Sequence, residues 1–414
     1  MQRARKPAAG SANLASPMIG TAPNPFIKKI LATAGPTPLP PRVSSVMAEP
    51  VMYHRDPAFV EVYERVLRQL PEVFQTENDV LLFASTGSGA MESAVMNLVQ
   101  PGQRVLACAA GKFGERWLQL LDAQCAEVVR HEPGWGKRID PEDVDRLLTE
   151  NPGCEVVFAT LSETSTGIVH DVRAIAEVAE KHGALTVVDA VSGLGAAEMR
   201  QDDWGIDVVA TGSQKALMTP PGIGLASVSE RALARAESQP GGRYYFDWGR
   251  TAKAQRKSPP ASPFTAPVTL ISALDVALEM IHTEGIDNVF ARHALLAKAT
   301  RAGASALGLS LYGDPDERSN VVTAIELPGD VDGGAVVRNL RDRFGITANG
   351  GQDELKGKIL RIAHCGYFGA FDIVTSLSGL EMTLAELGHP IQLGAGVGAA
   401  QQVFVDAGSA VGSS

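Results

Sequence analysis

The stretch Asp207-Val-Val-Ala-Thr-Gly-Ser-Gln-Lys215 decides the fold of this chain. Its residues from Val208 are apolar and β-branched, and they give way to small and hydroxylated residues before Lys215. This pattern predicts a buried strand that runs into a loop. A lysine after such a strand is unusual, because desolvation of its ammonium group is costly and makes the amine a better nucleophile. Taken alone, the stretch leaves a second interpretation open, in which Lys215 begins an exposed helix.

Composition indicates an ordinary globular protein with an acidic balance. The chain has 414 residues, 45% of them hydrophobic and 20% charged, and a formal net charge of −10. The length allows a large core and two domains, and the negative charge argues against a nucleic-acid surface. No apolar run reaches membrane-spanning length. The cysteines lack CxxC spacing, which favours free thiols in a reducing, cytoplasmic compartment and suggests no metal site; they are Cys108, Cys125, Cys154 and Cys365.

The two ends of the chain differ from its centre in composition. Residues 1–30 are basic and rich in Ala, Gly, Ser and Pro, and the first acidic residue is Glu49. We expect a disordered extension there, with an organelle transit peptide as the alternative. Residues 396–414 are predicted to form a tail, and the small residues from Gly394 to Ser414 predict weak structure at its end.

From Val80 onward, short apolar runs alternate with segments of helical periodicity. Strands are predicted at 80–84, 104–109, 155–161, 185–190, 207–210 and 224–228, and helices at 91–99, 113–121, 141–149 and 172–181. This alternation predicts an α/β fold with a large, mostly parallel sheet sandwiched by helices. The expected organisation is a large domain at 31–285, with an N-terminal arm at 31–50, and a smaller C-terminal α/β domain at 286–395.

Four loops that follow predicted strands carry polar or aromatic groups, and ligands bind at this edge of such sheets. Ser85-Thr-Gly-Ser-Gly-Ala90 precedes a helix and suits a phosphate, and Gly111-Lys-Phe-Gly-Glu115 presents an aromatic ring. Ser162-Glu-Thr-Ser-Thr-Gly167 offers hydroxyl donors, and Asp189 ends an apolar strand, where a carboxylate needs a partner. Each loop alone is also explained as a plain turn or as core packing.

Together with Lys215, these loops supply a phosphate cradle, a stacking ring, hydroxyl donors, a buried acid and a buried amine. Pyridoxal 5'-phosphate needs this whole set. Lys215 would bind the cofactor aldehyde, and Asp189 would keep the ring nitrogen protonated so that the ring accepts electrons.

The motifs Asp189-Ala-Val-Ser192 and Gly212-Ser-Gln-Lys-Ala216 resemble those of class V aminotransferases of pyridoxal-phosphate fold type I. The resemblance is closest to the alanine–glyoxylate and serine–glyoxylate aminotransferase branch, and it covers about residues 30 to 395. Other motifs occur in the family order: Gly35-Pro-Thr-Pro38, His54-Arg55, Thr86-Gly-Ser-Gly-Ala-Met-Glu92, Ser162-Glu-Thr-Ser-Thr-Gly167, Pro263-Phe-Thr265 and Leu360-Arg-Ile362.

The resemblance implies a role for each matching residue. The cofactor-binding set comprises the phosphate turn Thr86, Gly87 and Ser88, the ring-stacking Phe113, the ring-hydroxyl donor Thr164, the ring-nitrogen partner Asp189, the phosphate-cup residue Gln214, and Lys215. Arg361 would clamp the substrate α-carboxylate, and Gly35 and Thr37 would belong to the arm that closes over the substrate. Thr265 would reach the phosphate of the neighbouring subunit in a homodimer. Two departures are Phe113, where many relatives carry Trp or Tyr, and Ser262, where some carry Tyr.

The implied activity is a ping-pong transamination from alanine or serine to glyoxylate or pyruvate, catalysed by Lys215 and Asp189. Other donors, such as aspartate or ureidoglycine, stay open, and Arg55 is a candidate for a second carboxylate. Cysteine desulfurase or lyase chemistry is a competing interpretation, although Cys365 is not on a long loop. A scaffold without catalysis is another, and the absence of GxGxxG after the first predicted strand argues against a dehydrogenase.

Overall fold

The computed structural model describes residues 27–411, with side chains described as far as residue 408. Within that range the strands are β1 Ile30–Leu31, β2 Asp79–Ala84, β3 Arg104–Cys108, β4 Glu127–His131, β5 Val156–Thr160, β6 Ser162–Glu163, β7 Ile168–Val169, β8 Leu185–Asp189, β9 Val208–Gly212, β10 Ile223–Val228, β11 Val322–Glu326, β12 Ile346–Thr347, β13 Asn349–Gly350 and β14 Ile359–Ala363.

The helices of the same residues are α1 Pro41–Val46, α2 Pro57–Phe74, α3 Gly87–Leu98, α4 Gly114–Ala123, α5 Pro141–Glu150, α6 Val172–Lys181, α7 Glu230–Ser238, α8 Trp248–Gln255, α9 Val268–Glu284, α10 Ile286–Ala306, α11 Gly333–Phe344, α12 Ala370–Glu386 and α13 Ala395–Val411. Short 3-10 helices lie at Pro315–Glu317 and Asp353–Leu355. In this described part of the chain, no helix is both long and apolar enough to cross a membrane.

One large sheet, counted over residues 27–411, contains seven strands in the order β2-β10-β9-β8-β5-β3-β4. The strands β3, β4, β5, β8 and β9 run parallel, whereas β10 is antiparallel to both of its neighbours, β2 and β9. Parallel neighbours require long crossovers, and α4, α5 and α6 supply them between β3 and β8. The predicted α/β fold, with a mostly parallel sheet between helices, is confirmed.

Apolar cores cover both faces of this sheet. Alternate residues of a strand point to opposite faces, and Val188 and Val209 accordingly belong to one core while Val187 and Val208 belong to the other. All four valines are fully buried. Burial on both faces is what a central strand of a parallel sheet requires, so the apolar run from Val208 forms β9 for the reason that its sequence predicts.

Several elements of the large domain lie outside the predicted set. Strand β4 pairs with β3 alone at the sheet edge, and its first four residues are half-buried or exposed. An edge strand with exposed side chains shows no continuous apolar run, which is why the pattern misses it. Helices α7 and α8 are also unpredicted. Helix α3 begins at Gly87, four residues before its predicted start at Met91, so the glycines of this loop form its first turn.

We propose that residues 286–395 form the smaller domain; they contain the antiparallel sheet β11-β14-β13, and α10, α11 and α12 pack with it. The N-terminal arm begins here, because β1 pairs in parallel with β12 and the backbone N–H of Ala363 donates to the carbonyl of Ala32 at 3.2 Å. The arm was predicted as part of the large domain from residue 31. Its first strand lies against β12, and Thr37 then bonds to the backbone of Lys215.

Residues 396–411, which belong to the predicted tail, contribute most of helix α13, which packs against α10. Small residues permit this packing: a Cβ on Gly396 would lie 2.9 Å from the carbonyl oxygen of Gly303 in α10. Glu381 of α12 accepts hydrogen bonds from the backbone N–H groups of Gly394, at 2.6 Å, and Val397, at 3.0 Å. The small residues of this segment therefore allow α13 to pack closely against α10. The extension predicted at 1–30 lies outside the described residues as far as residue 26.

Candidate active site

Asp189 and Lys215 lie at the same edge of the large sheet. Strand β8 ends at Asp189, and its neighbour β9 ends at Gly212, three residues before Lys215. Because β8 and β9 are adjacent and parallel, their carboxyl ends open on the same side. Only 3% of Asp189 and 8% of Lys215 are exposed. An acid and an amine are thus held close to each other where little water reaches them.

The N-terminal arm encloses the amine of Lys215. Its Nζ donates a hydrogen bond to the carbonyl oxygen of Ala34. The next residue, Gly35, has a φ of +137°, and a Cβ there would collide with the Lys215 side chain. Only glycine therefore fits this position. Burial lowers the pKa of Lys215, which increases the uncharged, nucleophilic fraction of the amine.

Asp189 is a carboxylate at the end of a fully buried strand. Burial raises the pKa of Asp189 to about 7; a hydrogen bond from the backbone N–H of Val191 to its Oδ1, at 2.8 Å, opposes the rise. The charge of Glu163 raises this pKa further, whereas Arg116 and Lys215 lower it. A cation placed against the carboxylate would stabilise its ionised form, and the protonated nitrogen of a pyridine ring is such a cation.

The loop after β2 leads into a helix whose N-terminus lacks a side-chain cap. Thr86 occupies the N-cap position of α3 but makes no capping hydrogen bond, and Ser88 is half-buried in the first turn. The loop after β9 packs directly on this turn, since a Cβ on Gly212 would lie 2.8 Å from the backbone nitrogen of Gly87. The buried amide oxygen of Gln214 has no hydrogen-bond partner among the described residues. A helix N-terminus without a side-chain cap leaves backbone N–H donors that suit a phosphate group.

An aromatic ring and an arginine stand beside the amine. Phe113 is half-buried directly before α4, and the Nζ of Lys215 lies 5.9 Å from its ring centroid. The guanidinium carbon of Arg116 lies 5.1 Å from the same centroid. Arg116 forms no ion pair with a carboxylate in residues 27–408, and its positive charge lowers the pKa of both Asp189 and Lys215. It acts on the site as a cation without a neutralising partner.

The hydroxyl-rich loop between β5 and β7 lies against this ring. Thr164 is buried, and its Oγ1 lies 3.5 Å from the Oγ of Ser192. The carboxylate of Glu163, which is fully buried, accepts hydrogen bonds from the backbone N–H groups of Phe113 at 3.0 Å and Gly114 at 2.9 Å. The loop and the aromatic turn are therefore joined by a buried acid.

Arg361, in strand β14, brings the small domain to the site. Its Nε and Nη2 donate to the carbonyl oxygen of Gly350 at 3.0 and 2.8 Å, and its Nη1 donates to that of Thr164 at 2.8 Å. Of the five N–H donors of a guanidinium, about two remain for a ligand. Burial lowers the pKa of Arg361 to about 10, while the charge of Glu163 opposes the fall. A fixed, buried guanidinium with spare donors is suited to a carboxylate.

Thr37 fastens the arm to the lysine loop. Its hydroxyl donates to the carbonyl oxygen of Lys215 at 2.8 Å, and its backbone N–H donates to that of Gln214 at 3.1 Å. Only 3% of Thr37 is exposed. Its hydroxyl is bound to backbone, so the side chain acts by holding the arm in place.

Three residues named in the sequence analysis lie apart from this cluster within the described chain. Thr265 is exposed, and with Tyr53 and His54 it lines a surface cavity of about 320 Å³. Ser262 is half-buried in the same loop. Arg55 is exposed and donates to the hydroxyl of Tyr53 at 2.9 Å.

Glu163, Arg116 and Ser192 are site residues to which the sequence reasoning gave no role. Glu163 carries the same signal as Asp189, a carboxylate at the end of an apolar run. Arg116 follows Phe113 by about one helical turn, a spacing that places two side chains on one face. A separate cavity of about 380 Å³, lined by His170, Arg318 and other residues, contains none of the predicted site residues.

The assembled groups fit pyridoxal 5'-phosphate. The uncapped helix N-terminus matches a phosphate, the ring of Phe113 a planar ring, and the buried Asp189 a protonated ring nitrogen. Lys215 offers an amine of lowered pKa where the aldehyde would lie. Fold and site together define a pyridoxal-phosphate-dependent enzyme of fold type I.

The chain belongs to the class-V aminotransferase family, whose model matches residues 30–360. The protein is a pyridoxal-phosphate-dependent transaminase, as the resemblance implied.

Several relatives are similar along nearly their whole length. The small subunit of soluble hydrogenase from Synechococcus sp. (strain PCC 6716) is 40% identical over 91% of this chain and 98% of the relative. L-aspartate–glyoxylate aminotransferase from Paracoccus denitrificans is 36% identical, and serine–glyoxylate aminotransferase from Arabidopsis thaliana 34%, each over 89% of this chain and 94% of the relative. The crystal structure of ureidoglycine–glyoxylate aminotransferase from Bacillus subtilis superposes with a TM-score of 0.88 at 32% identity, covering 91% of this chain and 98% of that one.

Proposed function

We propose that this transaminase transfers the amino group of a small α-amino acid, alanine or serine, to glyoxylate or pyruvate by a ping-pong mechanism. The observation that carries the proposal is the enclosure of Lys215 between the arm and Arg361. The backbone of Ala34 and Gly35 lies against the amine, which leaves room for a small substrate, and Arg361 retains donors for one carboxylate.

Each site residue then has a task. When bound, pyridoxal phosphate supplies an electron-accepting ring that stabilises negative charge at the substrate Cα. The residues proposed to hold its phosphate are Thr86, Gly87, Ser88 and Gln214, and those proposed to hold its ring are Phe113, Thr164 and Asp189. Arg361 orients the substrate through its α-carboxylate, and Gly35 and Thr37 keep the arm closed over it.

Lys215 is the proposed proton carrier. Its Nζ would take the proton from the substrate Cα and deliver it to the cofactor carbon that carried the aldehyde, as a general base and then a general acid. A lowered pKa of Lys215 favours this exchange because it increases the uncharged fraction of the amine. Enclosure by Ala34 and Gly35 excludes water that would compete for the proton.

We further propose a cytoplasmic homodimer in which Thr265 contributes to the phosphate site of the neighbouring subunit. Its exposure, and the nearby exposed side chains of Val51 (73%) and Tyr53 (60%), support a contact surface at this loop. Free thiols support a reducing compartment, and the described cysteines are unpaired.

The proposal is tested by single half-reactions on the purified, cofactor-loaded protein. We expect L-alanine or L-serine to bleach the visible absorbance of the cofactor, and glyoxylate or pyruvate to restore it. Bleaching by L-aspartate alone would refute the proposed donors while leaving the transaminase class intact. Bleaching by none of the three, with the cofactor bound, would refute the proposed reaction.

A further inference from the structure

Glu163, at the end of β6, is a fully buried carboxylate that the proposed reaction does not use. Its Oε2 accepts hydrogen bonds from the backbone N–H groups of Phe113 and Gly114, at 3.0 and 2.9 Å. Its Oε1 accepts from the N–H and the hydroxyl of Ser165, at 3.1 and 2.5 Å. A buried carboxylate is tolerated only when it is satisfied in this way.

The surroundings of Glu163 are built for its ionised form. All four neighbouring groups are donors, and an ionised carboxylate is an acceptor only. Two of the four lie at the N-terminus of α4, where the helix dipole favours negative charge. Burial raises the pKa of Glu163, and these hydrogen bonds lower it.

On one side, Glu163 fixes the turn that carries the aromatic ring. A Cβ on Gly111 would lie 2.6 Å from the carboxyl carbon of Glu163, so the turn is pressed against the acid. The backbone N–H of Lys112 donates to the Oγ of Ser165 at 3.1 Å. Together with the bonds from Phe113 and Gly114 to Glu163, these contacts fix the turn from Gly111 to Gly114 against Glu163 and its neighbour Ser165.

On the other side, Glu163 fixes the loop that orients Arg361. Its carbonyl oxygen accepts from the backbone N–H of Gly167 at 2.8 Å, and its carboxylate accepts from Ser165. Thr164 lies between these anchors, and its carbonyl oxygen accepts from the Nη1 of Arg361 at 2.8 Å. The direction of the guanidinium therefore depends on a loop that Glu163 holds.

We propose that Glu163 is a positioning residue that locks the ring-stacking turn and the carboxylate-binding arginine into one arrangement. The inference rests on the proposed roles of Phe113 and Arg361. Cofactor seating and carboxylate recognition are thereby coupled through one side chain from the large domain.

The test replaces the acid by its amide, Glu163→Gln, which keeps the size but places an NH₂ group against N–H donors. Glu150→Gln is the matched control, because Glu150 is exposed at the end of α5 and, among the described residues, forms an ion pair with Arg146 at 3.4 Å. Affinity for pyridoxal phosphate is measured by titration of the apoenzyme, and ring seating by visible circular dichroism. Arg361 is probed by the rates at which aminooxyacetate, which has a carboxylate, and methoxyamine, which has none, remove the visible absorbance.

For Glu163→Gln we expect cofactor affinity about tenfold weaker, and the aminooxyacetate-to-methoxyamine rate ratio about tenfold lower, than in the wild type and Glu150→Gln. The two probes need only a bound cofactor and Arg361, so a wrong choice of natural donor leaves the test intact. A lower melting temperature with affinity, dichroism and ratio all unchanged would overturn the proposal.

Ser165→Ala decides the matter if Glu163→Gln does not fold. It removes one donor to the carboxylate and the acceptor for Lys112. We expect both affinity and rate ratio to fall about threefold, because the carboxylate keeps three of its four donors. An unchanged ratio in this folded variant would equally overturn the proposal.

Discussion

The ring end and the phosphate end of the proposed cofactor site differ in how fully their polar groups are hydrogen-bonded within the chain. At the ring end, Asp189, Glu163 and Arg361 are at most 7% exposed, and each accepts or donates hydrogen bonds within the chain. At the phosphate end, Thr86 is exposed and makes no capping hydrogen bond to the N-terminus of α3. The polar groups of the ring end already form hydrogen bonds within the chain, whereas those of the phosphate end remain available to a ligand.

This difference follows from what each end has to do. Proton transfer needs groups held at fixed distance and shielded from water, and preorganisation is what makes buried dipoles and charges effective. Anchoring a phosphate needs free donors, and these are satisfied when the ligand itself binds. Variants at the two ends should therefore fail in different ways.

The largest effect is expected at the ring end, from Lys215→Ala. Loss of the proton carrier should lower turnover by about 10²–10⁴-fold or more, because general acid–base catalysis contributes that much. The visible absorbance of the covalently held cofactor should also disappear, and steady-state rates with absorbance spectra measure both. Turnover within tenfold of the wild type would contradict the role of Lys215.

A smaller effect is expected at the phosphate end, from Gln214→Leu. The variant removes an amide that faces the phosphate turn, and we expect about tenfold weaker binding of pyridoxal phosphate with kcat at saturating cofactor nearly unchanged. Gln201→Leu is the matched control, since Gln201 is fully buried and both of its amide atoms lack partners among the described residues. Equal cofactor affinity in Gln214→Leu, Gln201→Leu and the wild type would remove the distinction between the two ends.

The smallest effect is expected from Arg116→Gln, which removes a charge without a direct contact to the reacting atoms. The charge of Arg116 lowers the pKa of Lys215, so its loss should raise that pKa and move the appearance of the uncharged amine to higher pH. The rate of cofactor capture by the apoenzyme, followed against pH, should shift upward by less than about one unit. Arg116→Lys should restore the wild-type profile, and a downward shift in Arg116→Gln would contradict the sign.

The positions of Asp189 and Lys215 at the ends of strands are predictable from the sequence. Asp189 and Lys215 each follow an apolar, β-branched run, and adjacent parallel strands bring such positions together. The contact of Arg361 with the carbonyl of Thr164 is not predictable in this way, because it joins segments 197 residues apart through a backbone atom that carries no residue-specific signal.

The same reasoning explains the errors in the fold. Strand β4 lies at an edge with exposed side chains, so it lacks the periodic apolar signal of the central strands. Helix α13 is rich in Gly and Ala, and this composition does not by itself predict a packed helix. The close approach of Gly396 to Gly303 explains why small residues are needed there. In both cases, contacts with other parts of the fold determine a secondary structure that the local sequence pattern does not predict.

The arm that begins in β1 has a mechanical consequence. It is anchored to the small domain where Leu31 pairs with Thr347, and to the large domain where Thr37 bonds the backbone of Lys215. Six residues of extended chain reach roughly 20 Å at most. The arm is thus an inextensible tether, and it limits how far the small domain, and Arg361 with it, can swing away from the lysine while both anchors hold.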